Sequence, residues 1–282
     1  MAETTNIEWA DGTANFWMGC TKLSPACDFC YAERDWDHRK HRVTWGPHGD
    51  RVPVKAGEPV IRKHQRQAAS FIAAHGRRPR IFVNSLSDFA DNHRSINPTW
   101  RARIWELARE CPDVILMILT KRPQNLPDYL PADWGDGYPN VWIGTTVENQ
   151  IEADRRREYL RAVPAIVHFV SYEPALGTVD WQGWEFLKWL ISGGESGPKA
   201  RPSHPDWYRA ARDFCGVHNI PYLHKQNGEW VTEDQSPPDA IFPGEGRDFF
   251  DDGSYWARLG KKVAGRLLDG STHDGYPEMA HG

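Results

Sequence analysis

Three of the five cysteines, Cys20, Cys27 and Cys30, fall within eleven residues in the spacing C-x6-C-x2-C. Gly19 precedes them, and Ser24-Pro25 interrupts regular structure between the first two. The stretch is therefore predicted to be a loop, able to fold three sulfurs around one inorganic centre. Thiolates are soft ligands that select zinc, cuprous copper or an iron–sulfur cluster. A closed zinc site or an electron-transfer cluster takes four protein ligands, so three leave one position open to something that reacts. Two other readings of the spacing compete. One is a disulfide plus a free thiol; the other is a structural zinc site completed by His38 or His41. Cys111 and Cys215 stand alone in predicted helices and are not expected to be ligands.

The elements that must position this loop follow from hydrophobic patterning. A short strand is expected at residues 7–9, with Asp11-Gly12 as a turn. A polar helix is expected at 31–42, a Gly/Pro-rich excursion at 43–59 and a helix at 60–74. Continuous apolar runs at 81–83, 114–119, 141–143, 166–170, 187–191 and 221–223 then alternate with helical stretches, among them 98–110, 150–162 and 205–217. Such alternation indicates a parallel sheet buried on both faces, with helices outside. Residues 229–253 read as a surface loop, 255–268 as a final helix and 269–282 as a fraying end. The expectation is one domain over residues 1–282, with 229–282 a loop-rich extension ending in a helix.

Each core strand ends in polar or glycine residues: Ser85, Ser87 and Asp88; Lys121 and Arg122; Glu148 and Asn149; Glu173; Gly193, Gly194 and Glu195. Sites in parallel α/β sheets form at the carboxyl ends of the strands. These residues therefore form one polar crown, and the cysteine loop, following the first strand, hangs over it. Asp88 could instead cap a segment, Lys121 and Arg122 could face solvent, and the Gly193-Gly194 stretch could be only a tight turn.

Composition bounds the rest. The chain has 34 basic and 38 acidic side chains, a net charge of −4, against a dedicated nonspecific nucleic-acid binder. Local basic runs at 39–42 and 62–66 read as solvated helix faces or as a phosphate-binding surface. Most of the 14 tryptophans are expected in packing roles. The longest aliphatic run, 114–119, is too short to cross a bilayer, and the first six residues are unlike a signal sequence. A cytoplasmic protein with no membrane partner is expected.

Phe29 before the last cysteine, in Cys27-Asp28-Phe29-Cys30, resembles the C-x-aromatic-C end of the radical S-adenosylmethionine (SAM) cluster loop, with six residues in place of the usual three before it. More specifically, the chain resembles a phage-associated three-Cys-motif radical-SAM-like family. The matching segments are residues 19–32, 83–88 (VNSLSD), 119–123 (LTKRP), 141–149 (VWIGTTVEN), 171–177 (SYEPALG), 191–202 (ISGGESGPKARP), 225–230 (KQNGEW) and 265–270 (GRLLDG). The resemblance implies a partial or complete parallel β/α barrel of the radical-SAM type. It also implies a [4Fe–4S] cluster on Cys20, Cys27 and Cys30, bound SAM, an electron donor as partner, and hydrogen abstraction by a 5′-deoxyadenosyl radical. The substrate would be a nucleotide or nucleic acid, although a peptide or small metabolite stays open. On this footing Asp88, assisted by Ser85 and Ser87, would meet the SAM ammonium, although the usual Gly-Gly-Glu is absent there. Lys121 or Arg122 would meet its carboxylate, Glu148 or Asn149 its ribose, and Gly193-Gly194 its adenine; Glu173 and Glu195 complete the set. The alternative is a non-catalytic α/β module, stabilised by zinc or an iron–sulfur centre, that binds nucleic acid or a protein.

Overall fold

A computed structural model describes residue 5 and residues 7–237, 239–242 and 247–277. The strands in chain order are β1 (Gly12–Ala14), β2 (Trp17–Met18), β3 (Val52–Pro53), β4 (Arg80–Val83), β5 (Ile115–Thr120), β6 (Val141–Thr146), β7 (Val167–Tyr172), β8 (Trp189–Gly193), β9 (Tyr222–Gln226), β10 (Trp230–Thr232) and β11 (Trp256–Arg258). The α-helices are α1 (Tyr31–Glu33), α2 (Gly57–His75), α3 (Pro98–Glu110), α4 (Gln150–Ala162), α5 (Pro205–His218) and α6 (Lys261–Ala264). Seven strands, in the order β1-β4-β5-β6-β7-β8-β9, form a parallel sheet curled into a half-barrel. Among the described residues, no helix is long and apolar enough to cross a membrane.

The two faces of the sheet separate by the period of two that governs a strand. On the outer face Ile81, Leu116, Ile118, Ile143 and Val170 pack against the helices. On the inner face Phe82, Met117, Trp142, Phe169 and Trp189 fill the half-barrel, with Trp9 plugging it from the N-terminal side. Gly144 falls on this inner row, where a Cβ would stand 2.6 Å from the Phe169 ring. The same parity carries on to the carboxyl ends. Asn84 follows Phe82, Lys121 follows Met117 and Leu119, Ser171 and Glu173 follow Phe169, and Lys225 follows Leu223. Their side chains rise above an aromatic floor.

Helix starts obey local chemistry. Asn97 accepts the Thr99 amide at 3.0 Å and Asn149 accepts the Glu152 amide at 3.1 Å, each capping a helix. Three local expectations change. Residues 7–9 are not a strand; the first strand is Gly12–Ala14, within the expected turn, paired to β4. The polar helix after the loop is α-helical only over Tyr31–Glu33 and widens to π-type turns over Arg34–Arg39. The final helix is confined to Lys261–Ala264, between Gly260 and Gly265, both at positive φ, because Trp256 pairs in a ribbon with β10. The expected fraying is absent from the described part of the end. Tyr276 lies 5.2 Å from Trp189 between ring centroids, and its hydroxyl donates to the Glu8 carbonyl at 3.0 Å. Residues 278–282 lie outside the described residues.

Candidate active site

All five cysteines are free thiols, so the disulfide reading does not hold. Cys20, Cys27 and Cys30 line one cavity of about 520 Å³ at the carboxyl ends of the half-barrel. The loop enters it through Gly19 (φ 102°), where a Cβ would stand 2.8 Å from Val43. It is then held from four sides by buried or half-buried carboxylate–arginine pairs.

Arg122 pairs with Asp88 at 3.0 Å, donates to the Thr21 carbonyl at 2.9 Å and stands 3.9 Å from the Cys20 sulfur. Arg51 pairs with Asp91 at 2.8 Å and donates to the Thr21 hydroxyl at 2.7 Å. Arg156 holds Glu148 at 3.0 Å, and Glu148 accepts the Ser24 hydroxyl at 2.9 Å. Arg201 grips Glu195 at 2.7 Å, donates to the Pro25 carbonyl at 2.9 Å and lies 4.9 Å from the Phe29 ring centroid. Tyr31 pins the end of the loop by donating to the Ser85 carbonyl at 2.8 Å. Charge-assisted bonds of this kind are the strong ones, and their fixed geometry sets the loop's shape.

This frame reassigns part of the crown. Asp88 accepts from the Ala90 and Lys121 amides, the Thr120 hydroxyl and Arg122, which uses the capacity of a carboxylate and leaves nothing for a SAM ammonium. Glu148 is fully buried beneath the loop and outside the cavity lining, and Asn149 is spent as a helix cap; neither is placed for a ribose. Gly193 is also outside the lining. Gly194 lines the cavity, but its lack of a side chain is required by the Asn227 carbonyl, 2.1 Å from where a Cβ would stand. The Ser85 hydroxyl bonds with Asn15 at 3.1 Å, and Ser87 donates to the Trp17 carbonyl at 3.1 Å, so both brace the β1–β2 corner while lining the cavity.

Two expected residues keep uncommitted groups. Lys121 reaches only the Thr146 hydroxyl, at 3.4 Å, and has no ion pair among the described residues. Burial works against its charge, but the Cys27 sulfur and the Glu148 carboxylate outweigh it and its pKa is raised. Glu173 bonds Lys225 at 2.5 Å and Gln226 at 3.4 Å through Oε1, leaving Oε2 without a partner among the described residues. Lys225, an inward residue of β9, and Thr146 complete this polar patch. Sequence reasoning put Lys225 at a strand end without giving it a role; counting parity from Leu223 would have pointed it inward.

The donor set was tested against the implied groups. Burial pushes the Cys20 thiol up to about 12, with Asp88 adding to the rise and Arg122 opposing it; burial raises Cys30 as well. Such thiols lose their protons to a bound cation, not to neutral solvent. Among the described residues no three His, Cys, Asp or Glu side chains converge on a point where one metal ion would sit. His38 and His41 are exposed and lie outside the cavity lining, so neither completes a zinc site there. A cluster asks for something different, since each thiolate binds its own iron and the sulfurs must surround a space. Three sulfurs on the wall of one cavity fit that requirement, and the cavity is in the range of ligand sites, about 300–1,000 Å³.

The family described as "Protein of unknown function (DUF5131)" matches residues 4–277. The chain belongs to this family. No curated protein and no solved structure matches the chain.

Proposed function

We propose that this member of the DUF5131 family is a radical SAM enzyme, with Cys20, Cys27 and Cys30 holding a [4Fe–4S] cluster. The observation that carries the reading is the meeting, in one cavity above a parallel half-barrel, of three free thiols with a lysine and a glutamate oxygen that the fold leaves uncommitted. When bound, the cluster and SAM would supply a 5′-deoxyadenosyl radical for hydrogen abstraction. The chain's own residues bind and orient. Lys121 suits the carboxylate of a methionyl group, and Glu173 Oε2 suits its ammonium. The sequence-based choice of Asp88 and Arg122 for these contacts is replaced, because those two side chains are consumed in holding the loop. Trp9, Phe82 and Leu119 form an apolar floor that excludes water from the site.

Anaerobic reconstitution with iron and sulfide tests the reading. The expected product is a brown protein that, once reduced, converts SAM to 5′-deoxyadenosine. Cys27→Ala should bind no cluster, while Cys215→Ala, altered in a helix far from the loop, should bind it as the wild type does. Lys121→Met should keep the cluster and weaken SAM binding by about ten- to a hundredfold, the loss of one charge-assisted bond. A colourless protein carrying one zinc would return the binding-module alternative.

A further inference from the structure

Two residues of the cavity wall carry hydrogen-bond donors that the fold leaves unsatisfied. Asn84 ends β4 on the inward parity, with φ 62°, a left-handed conformation that asparagine tolerates better than other non-glycine residues. Its Oδ1 accepts the Phe16 amide at 3.0 Å, which fixes the orientation of the side-chain amide. The opposite group, Nδ2, is buried and has no partner. The indole Nε1 of Trp9, a donor only, is in the same position. Other orphaned indoles, such as those of Trp142 and Trp184, lie away from this cavity. Among the described residues, Asn84 and Trp9 are the two whose buried, unpartnered side-chain atoms belong to its wall. Buried N–H groups are rarely left without an acceptor, and those that are call for a ligand or a water.

The surroundings narrow the acceptor. Phe82 lies 4.8 Å from Trp9 between ring centroids, and with Leu119 it gives this end of the cavity a flat, apolar wall. Both unsatisfied groups are donors, so the complement is a flat ring bearing oxygen acceptors. The rim adds charge. Trp45 lines the same cavity, and its neighbour Gly46 donates to the Cys20 carbonyl at 2.9 Å. The turn leading to Trp45 exposes Arg39, Lys40 and Arg42. We infer that this end of the cavity is a substrate subsite for a nucleotide whose base carries ring carbonyls, with Asn84 Nδ2 and Trp9 Nε1 donating to the base and the basic turn facing the phosphate. Adenine has no carbonyl, so the demand here differs from that of the adenosyl group of SAM. The inference rests on the proposed function only in taking this cavity as the active one.

The test titrates uridine 5′-monophosphate, adenosine 5′-monophosphate and ribose 5-phosphate into the full chain without SAM, followed by ligand-observed NMR. Uridine monophosphate should bind about tenfold tighter than the other two, the worth of one well-made hydrogen bond. Trp9→Phe keeps the aromatic plug and removes the N–H; Asn84→Asp keeps the oxygen for Phe16 and removes the NH2 donor. Loss of the uridine preference in either variant, with an unchanged circular dichroism spectrum, supports the subsite, and Trp9→Phe decides alone if Asn84→Asp does not fold. Retention of the preference in the folded variants overturns it. So does equal binding of uridine monophosphate and ribose 5-phosphate, or equally effective competition by an acetylated dipeptide amide. Failure of SAM cleavage would leave the uridine result intact, and loss of the uridine preference would leave SAM cleavage intact, so the two readings fail separately.

Discussion

Lys121 and Arg122 are adjacent, both basic and both at the end of β5, yet they do different work. Lys121 shares parity with Met117 and Leu119 and faces the cavity, whereas Arg122 turns to Asp88 and the cysteine loop. One residue of register separates a ligand-facing cation from a structural one. His224 shows the same selectivity at the end of β9. It is fully buried, with Nδ1 2.9 Å from the Ser192 hydroxyl and Nε2 3.0 Å from Asn227 Oδ1. The contacts suggest a Ser–His–Asn triad, but the histidine is sealed in the core outside the cavity lining. Burial depresses its pKa from 6.5 to about 4, with Asn227 opposing the shift. The folded state therefore holds the neutral ring while the unfolded chain takes up a proton below pH 6.5. Stability from this group is complete above pH 6.5 and is lost as pH falls toward 4, by up to about 1.4 kcal/mol per pH unit. Urea titrations across that window should show the slope in the wild type and a flatter profile in His224→Gln. The depressed carboxylates, such as Glu58 at about 2, act at lower pH.

At the scale of elements, the cysteine loop is shaped less by its own sequence than by the strand ends around it. Ser24 is fixed by Glu148, 124 residues away, and Pro25 by Arg201, 176 residues away. Glu148→Gln should therefore act on the loop. It breaks a fully buried pair and leaves Arg156 with an uncompensated charge beside Glu152, at a cost of about 3–5 kcal/mol. Denaturant unfolding should register this loss, and a reconstituted cluster should pass its iron to a chelator faster than in the wild type. Glu195→Gln should cost less, because Arg201 keeps 31% of its side chain exposed and can be solvated. Unchanged stability in Glu148→Gln would show that the anchor is not needed.

Across the whole molecule, the half-barrel is closed by the chain's two ends. Trp9 enters from the N-terminal side and packs 4.8 Å from Phe82, while Tyr276 covers Trp189 and lies 3.6 Å from the Arg80 guanidinium. Gly275 bridges to β9 by donating to the Tyr222 carbonyl at 2.9 Å. Ending the chain after residue 270 would uncover Trp189 and Leu223 and remove a buried tyrosine. The expected cost is about 3–5 kcal/mol, seen as a fall in Tm of several degrees. A truncated protein that melts with the full chain would show that this segment is a passenger.

The type and order of the elements were readable from local patterns. The apolar runs became β4 to β9, Asn97 and Asn149 capped the expected helices, and the helix over 150–162 was placed to the residue. The crown was readable too, because polar residues cluster where parallel strands end. Hidden in the sequence were the roles within the crown. Parity is a local property but depends on knowing the strand's register, which the apolar run at 114–119 does not reveal when both faces are buried. Which carboxylate meets which arginine depends on the sheet order and on the path of the cysteine loop through space. Asp88, Glu148 and Glu195 look alike as strand-end acids. Only the tertiary structure spends all three on arginines that hold the loop, while leaving Lys121 and one oxygen of Glu173 facing the cavity, because the loop satisfies the buried charges nearest it first.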